Sequence, residues 1–159
     1  MFAWFRNRHR KKMVRLVFSS SWEEILRRNV AHYCMLDNSE QEQLRNLIKV
    51  FIVEKNWEGA GGLELNDEIR VTISAQACLL LLGLPHNFYD NVQSIIVYPT
   101  TVVPPQRKPG SFETAIGPLD IEHPILGQAF LRGPVIIIWD AALHASRHPQ
   151  QGHNVIYID

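Results

Sequence analysis

His144 and His148 stand four residues apart, the spacing that puts two imidazoles on one face of a helix and lets them share a metal ion. The pattern stops short of a hydrolytic zinc motif. Ala145 occupies the position at which H-E-x-x-H carries its general-base glutamate, Pro149 directly follows the second histidine, and no third ligand is apparent. Two solvent-facing histidines are the default reading. The acidic group Glu58, Glu64, Asp67 and Glu68 has the charge for acid/base work, but nothing fixes the spacing of two carboxylates about one substrate atom. These residues read as turn and helix-cap chemistry. Gly59, Gly61 and Gly62 depart from G-x-G-x-x-G at Glu64, and no Lys-Ser or Lys-Thr pair follows, so the cluster is a turn and not a nucleotide loop. No G-x-S-x-G presents a serine nucleophile. Cys34 and Cys78 lie far apart, the second inside an apolar run, which indicates neither a disulfide framework nor a cysteine zinc site and makes a reducing cytosol the expected compartment.

The elements that would carry such groups are those of a soluble globular protein. At 159 residues, with 46% hydrophobic and 20% charged residues, the chain suits one domain and is not globally disordered. Its formal net charge of zero hides an asymmetry: Arg6, Arg8, Arg10, Lys11, Lys12 and Arg15 all precede the first acid, Glu23. Residues 1–18 therefore read as a basic, poorly ordered leader, with weak contact to an anionic membrane surface as its one expected use and no nucleic-acid partner expected. The apolar opening at residues 1–5 is too short for a secretory signal, and its charges follow the apolar residues instead of preceding them.

Residues 66–84, NDEIRVTISAQACLLLLGL, are the stretch around which the rest is organised. Asn66 is a favoured N-cap, Asp67 and Glu68 suit the first turn, and Gly83 and Pro85 end the helix. Apolar residues occur on every face, so other elements must wrap it, and Gln76 needs a partner inside. Arg70, Thr72, Ser74 and Gln76 interrupt the run and exclude a membrane span. Two further helices are expected, one with an S-x-x-E capping box at Ser21 and Glu24, the other with a box at Ser39 and Glu42 before Leu44, Leu47, Ile48 and Phe51. Residues 33–38 connect them. The stretch 94–98, SIIVY, reads as a strand, and 101–103 as a short edge segment among prolines. Residues 106–128 lose periodicity. Pro134, Val135, Ile136, Ile137 and Ile138 form a second strand, apolar throughout and so covered on both faces, and 139–147 a short helix with Asp140 near its start.

Taken in order, W-E-x-I-L at 22–26, EKNWEGAGGLELNDEIRVTISAQACLLLLGL at 54–84, SIIVYP at 94–99, RGPVIIIW at 132–139 and QGHNV at 151–155 resemble the Mlc titration factor A family. The resemblance covers nearly the whole chain. It implies a fold similar to zincin-type zinc metallopeptidases, aminopeptidase-like activity, zinc as cofactor, and, for the enterobacterial member, binding to a repressor of sugar uptake.

In that family G-H-N-V or a variant runs into H-E-x-x-H, so the first zinc histidine would fall at Ile158 and the catalytic glutamate at Asp159. Isoleucine offers no lone pair to a metal, and Asp159 is one methylene short. The expectation is an α+β fold of three main helices and a small sheet. Residues 19–159 would be the N-terminal portion of a zincin-like domain, truncated before the metal helix, with no metal or catalytic residue of its own and no cofactor held. The strand Pro134, Val135, Ile136, Ile137 and Ile138 is the expected edge for pairing with an extended peptide. A non-catalytic remnant that binds a protein partner, such as a repressor, is the alternative. The covering layers asked for by residues 77–82 and 135–138 also point to an exposed apolar patch and self-association.

Overall fold

Asn66 caps the helix at the centre of the fold: its Oδ1 accepts from the Ile69 N–H at 2.9 Å, and Asp67 and Glu68 follow in the first turn, where the helix dipole favours negative charge. The computed structural model describes residues 2–82, 89, 92–100, 127–129 and 134–151. Along the chain these form α1 (Phe2–Val14), α2 (Ser20–Asn29), α3 (Ala31–Met35), α4 (Asn38–Glu54), β1 (Asn56–Gly59), α5 (Asp67–Leu79), β2 (Ser94–Tyr98), β3 (Gly127–Ala129), β4 (Val135–Ile138), α6 (Trp139–Arg147) and a 3-10 turn, Pro149–Gln151. The architecture is α+β. Residues 71–78 of α5 are all buried, because α2, α4 and α6 pack around it. Among the described residues no helix is long and apolar enough to cross a membrane.

The four strands lie in the order β1-β2-β4-β3. β1, β2 and β4 are parallel, with Trp57 opposite Ile95 and Ile96 opposite Ile136, and β3 runs antiparallel to β4. A parallel pair cannot be joined by a hairpin, and α5 makes the crossover from β1 to β2. β1 has no β-branched residue. It is held by its pairing with β2 and by Trp57, whose indole N–H donates to the Ile52 carbonyl at 3.1 Å and whose ring meets Phe51 edge to face at 6.2 Å. Gly59 ends β1 where a β-carbon would collide with the Leu63 carbonyl oxygen.

Several local expectations change. Residues 2–14 of the leader are helical, and α1 lies on α4. Arg10 clasps Glu54 through both carboxylate oxygens, Nε at 2.6 Å and Nη2 at 2.9 Å, while Lys49 donates to the carbonyls of Val14 and Leu16. The anchoring acid lies 44 residues away in sequence, which no local pattern reveals. α2 starts from Ser19 with no side-chain cap, and Glu23 is drawn to Arg27 and Tyr33. The capping box of α4 is Asp37 with Glu40, not Ser39 with Glu42, since the chain leaving α3 places Asp37 at the cap. The connector expected at 33–38 holds the end of α3, and Tyr33 is fully buried, its hydroxyl donating to Glu23 at 2.7 Å and accepting from Arg45 at 2.8 Å.

The apolar patch expected at 79–82 and 136–138 is largely closed. Leu81, Ile137 and Ile138 are buried, Leu79 and Leu82 are partly buried against the core, and Leu80 is the exposed member. The segment 101–103 lies outside the described residues.

Candidate functional site

β4 is an interior strand, which corrects the expectation that Pro134, Val135, Ile136, Ile137 and Ile138 form a peptide-binding edge. Ile95, Ile96, Val97 and Tyr98 of β2 pair with one side of β4, and Gly127, Gln128 and Ala129 of β3 with the other. Residues 135–137 are therefore already paired on both sides. A run apolar at every position is the sequence of a strand covered on both faces, and such a strand suits the middle of a sheet better than an edge. The outer strand on this side is β3, which among the described residues pairs with β4 alone.

β4 passes into α6 with no intervening loop, Ile138 serving as the N-cap residue. The far end of α6 is fixed by a buried polar network. Gln76 Nε2 donates to Ser146 Oγ at 2.7 Å, and Ser146 Oγ donates to the Asn29 carbonyl at 2.7 Å. The Asn29 side chain, fully buried, donates to Glu68 Oε1 at 2.9 Å and Thr72 Oγ1 at 3.2 Å, and its Oδ1 accepts from Arg147 Nη2 at 2.8 Å. Arg28 adds a bond to Glu68 at 3.2 Å. The hydrogen bond from Asn29, with the bond and charge of Arg28, holds the Glu68 carboxyl below the ordinary glutamate pKa, against the opposing effect of its partial burial. The network locks α2, α5 and α6 into one register. Its one carboxylate, Glu68, is taken up by Asn29 and Arg28, so the network positions the helices.

Most of this network escaped the sequence, apart from the demand that Gln76 find a partner. A signal was present: Glu68, Thr72 and Gln76 recur at i, i+4 and i+8, a polar stripe along one face of an otherwise apolar helix. Asn29, Ser146 and Arg147 carried none, because their partners come from distant segments.

His144 and His148 are exposed at the end of α6, their ring centroids 4.7 Å apart. Among the described residues no three His, Cys, Asp or Glu side chains converge as a metal site, so these residues do not fit a catalytic zinc, and no chemical step is assigned through one. The four carboxylates do not act as a pair either. Asp67 accepts from the Trp22 indole at 3.2 Å, Glu68 belongs to the buried network, and Glu58 and Glu64 are exposed. Both cysteines are free, and burial pushes the Cys78 thiol far above its usual range. Ile158 and Asp159 lie outside the described residues.

The architecture is α+β, a mixed sheet backed by a buried helix. Over residues 4–157 the sequence matches the glucose-regulated metallo-peptidase M90 family, and the chain belongs to that family. It is also 30% identical over 139 residues to an uncharacterised protein of Synechocystis sp., an alignment covering 86% of this chain and 49% of the relative. The chain thus spans about half the length of the curated relative it matches.

Proposed function

We propose that the whole protein is a zinc-dependent peptidase of Mlc titration factor A type, working in the cytosol, in which residues 1–159 supply the substrate-binding sheet and a rigid platform. The observation that carries this reading is the family match over residues 4–157, which runs up to the position where the resemblance puts the first zinc histidine. In this reading zinc supplies the activated water, and its ligands come from outside the described residues. What the described residues contribute is placement. β3 offers main-chain groups to an extended peptide, β4 carries that strand, and α6, locked by Ser146 and Arg147 to Asn29, fixes the point from which the chain goes on.

Backbone amide exchange tests the substrate edge. An extended oligopeptide is expected to slow exchange in β3 and to leave β4 unchanged, since β4 is already paired on both sides. Protection appearing in neither strand, at peptide concentrations that saturate hydrolysis by the whole protein, would sink this assignment.

The alternative reading is that these residues by themselves bind a protein partner, such as a repressor of sugar uptake, without chemistry. Titration of the 159-residue chain with a purified repressor separates the two, because this reading requires a saturable complex in the absence of any hydrolysis.

A further inference from the structure

Trp4, Arg8 and Lys11 of α1, with Arg15 in the turn that closes it, are all exposed and fall within about 60° of arc on a helix of 3.6 residues per turn. Arg10 and Met13, the partly buried residues among those described from position 4 onward in this helix, lie on the opposite side, where Arg10 holds Glu54. The stripe therefore faces away from α4. Arg8 sits 5.5 Å over the Trp4 ring, so the aromatic side chain and the first cation form one unit. Lys12 lies beside the stripe, and no acid occurs before Glu23.

The same segment concentrates exposed apolar surface. Of the eight large hydrophobic residues exposed among the described residues, five fall between positions 4 and 17: Trp4, Phe5, Val14, Leu16 and Val17, the last 95% exposed. Scattered single residues of this kind need no explanation, but five within one basic segment do. An interface of anionic lipid headgroups over acyl chains satisfies the cations and the apolar side chains at once.

We propose that α1 and the turn after it form a docking surface for an anionic phospholipid bilayer, with Arg8, Lys11, Lys12 and Arg15 at the headgroups and Trp4, Leu16 and Val17 entering the interface. Nucleic acid is the competing polyanion. Phosphate contacts call for the cations but give no role to the aliphatic side chains Leu16 and Val17, so the lipid surface accounts for more of what is exposed. The inference is independent of the peptidase reading.

Sedimentation of the 159-residue chain with vesicles tests it. The chain is expected to bind vesicles of phosphatidylcholine mixed with phosphatidylglycerol, to bind phosphatidylcholine alone far more weakly, and to be released by salt. Neutralising three cations, Arg8→Gln, Lys11→Gln and Arg15→Gln, is expected to lower partitioning on the order of a hundredfold. A second variant, Trp4→Ala with Val17→Ser, keeps every charge and is expected to weaken binding several-fold and to remove the blue shift of tryptophan emission seen with anionic vesicles. This variant also carries the test should the neutralised chain fail to fold. Absence of binding to the mixed vesicles would overturn the proposal. So would tighter binding to duplex DNA than to vesicles, with affinity unchanged by Trp4→Ala and Val17→Ser, which would assign the stripe to nucleic acid.

Discussion

Gln76 and Ser146, 70 residues apart in sequence, meet in the core with the amide Nε2 donating to the hydroxyl oxygen at 2.7 Å. Because the same hydroxyl donates to the Asn29 carbonyl, one small side chain joins the central helix α5, the end of α2 and the end of α6. That oxygen is one of several links among the three, beside the bonds of the Asn29 side chain to Glu68, Thr72 and Arg147.

Ser146→Ala removes that oxygen and leaves the Asn29 carbonyl without the hydroxyl it accepts from. A loss of about 1–3 kcal/mol in unfolding free energy is expected, the range for a buried polar group deprived of its partner. Urea denaturation measures it, and a change within error of zero would show that the junction does not hold α6.

Glu68 makes stability depend on pH. Its folded pKa lies below the ordinary glutamate value of 4.5, so its contribution is fully present above that value and is lost as pH falls through the lower folded value. Acid titration of stability should therefore flatten in Glu68→Gln relative to the native chain over that window. Parallel curves for the two proteins would mean that Asn29 and Arg28 do not favour the ionised form. Tyr33 acts at the other end of the scale. Burial, with the Glu23 acceptor, raises its pKa, so its contribution is present below the ordinary tyrosine value and is lost as pH rises through the folded one, and Tyr33→Phe should remove that alkaline loss.

Glu54→Gln breaks the ion pair with Arg10, whose two side chains are 14% and 18% exposed. At that depth a charge-assisted pair holds more than a surface one, and α1 should detach while the rest stays folded. Limited trypsin digestion reads this directly. Cleavage at Arg8, Lys11 and Lys12 is expected to accelerate at least several-fold, with the remaining core resistant. An unchanged cleavage rate would indicate that packing on α4 secures α1 without Arg10.

The elements legible in the sequence are those whose signal is local. The N-cap at Asn66, the β-branched run of β2, the apolar run of β4 and the helix 139–147 each announce themselves within a few residues, and the structure has all of them. What the sequence hides is set by distant partners. Asn56, Trp57, Glu58 and Gly59 form a strand because β2 offers them a parallel neighbour, and α1 is held by an acid at position 54. The interior position of β4 is legible in its four consecutive apolar residues, which ask for cover on both faces and so favour an inner strand over a substrate edge. The candidate site suffered most, since its polar network joins residues from three helices and only the stripe Glu68, Thr72 and Gln76 lies on one of them.

In the proposed reading residues 1–159 place a peptide, and the zinc ligands come from outside the described residues. Zinc content and aminopeptidase activity of the purified 159-residue chain, measured after incubation with zinc and again after chelation, test it most directly. No stoichiometric zinc and no hydrolysis are expected in either state. One tightly bound zinc per chain, lost in a His144→Ala and His148→Ala double variant and accompanied by hydrolysis that chelation abolishes, would contradict it.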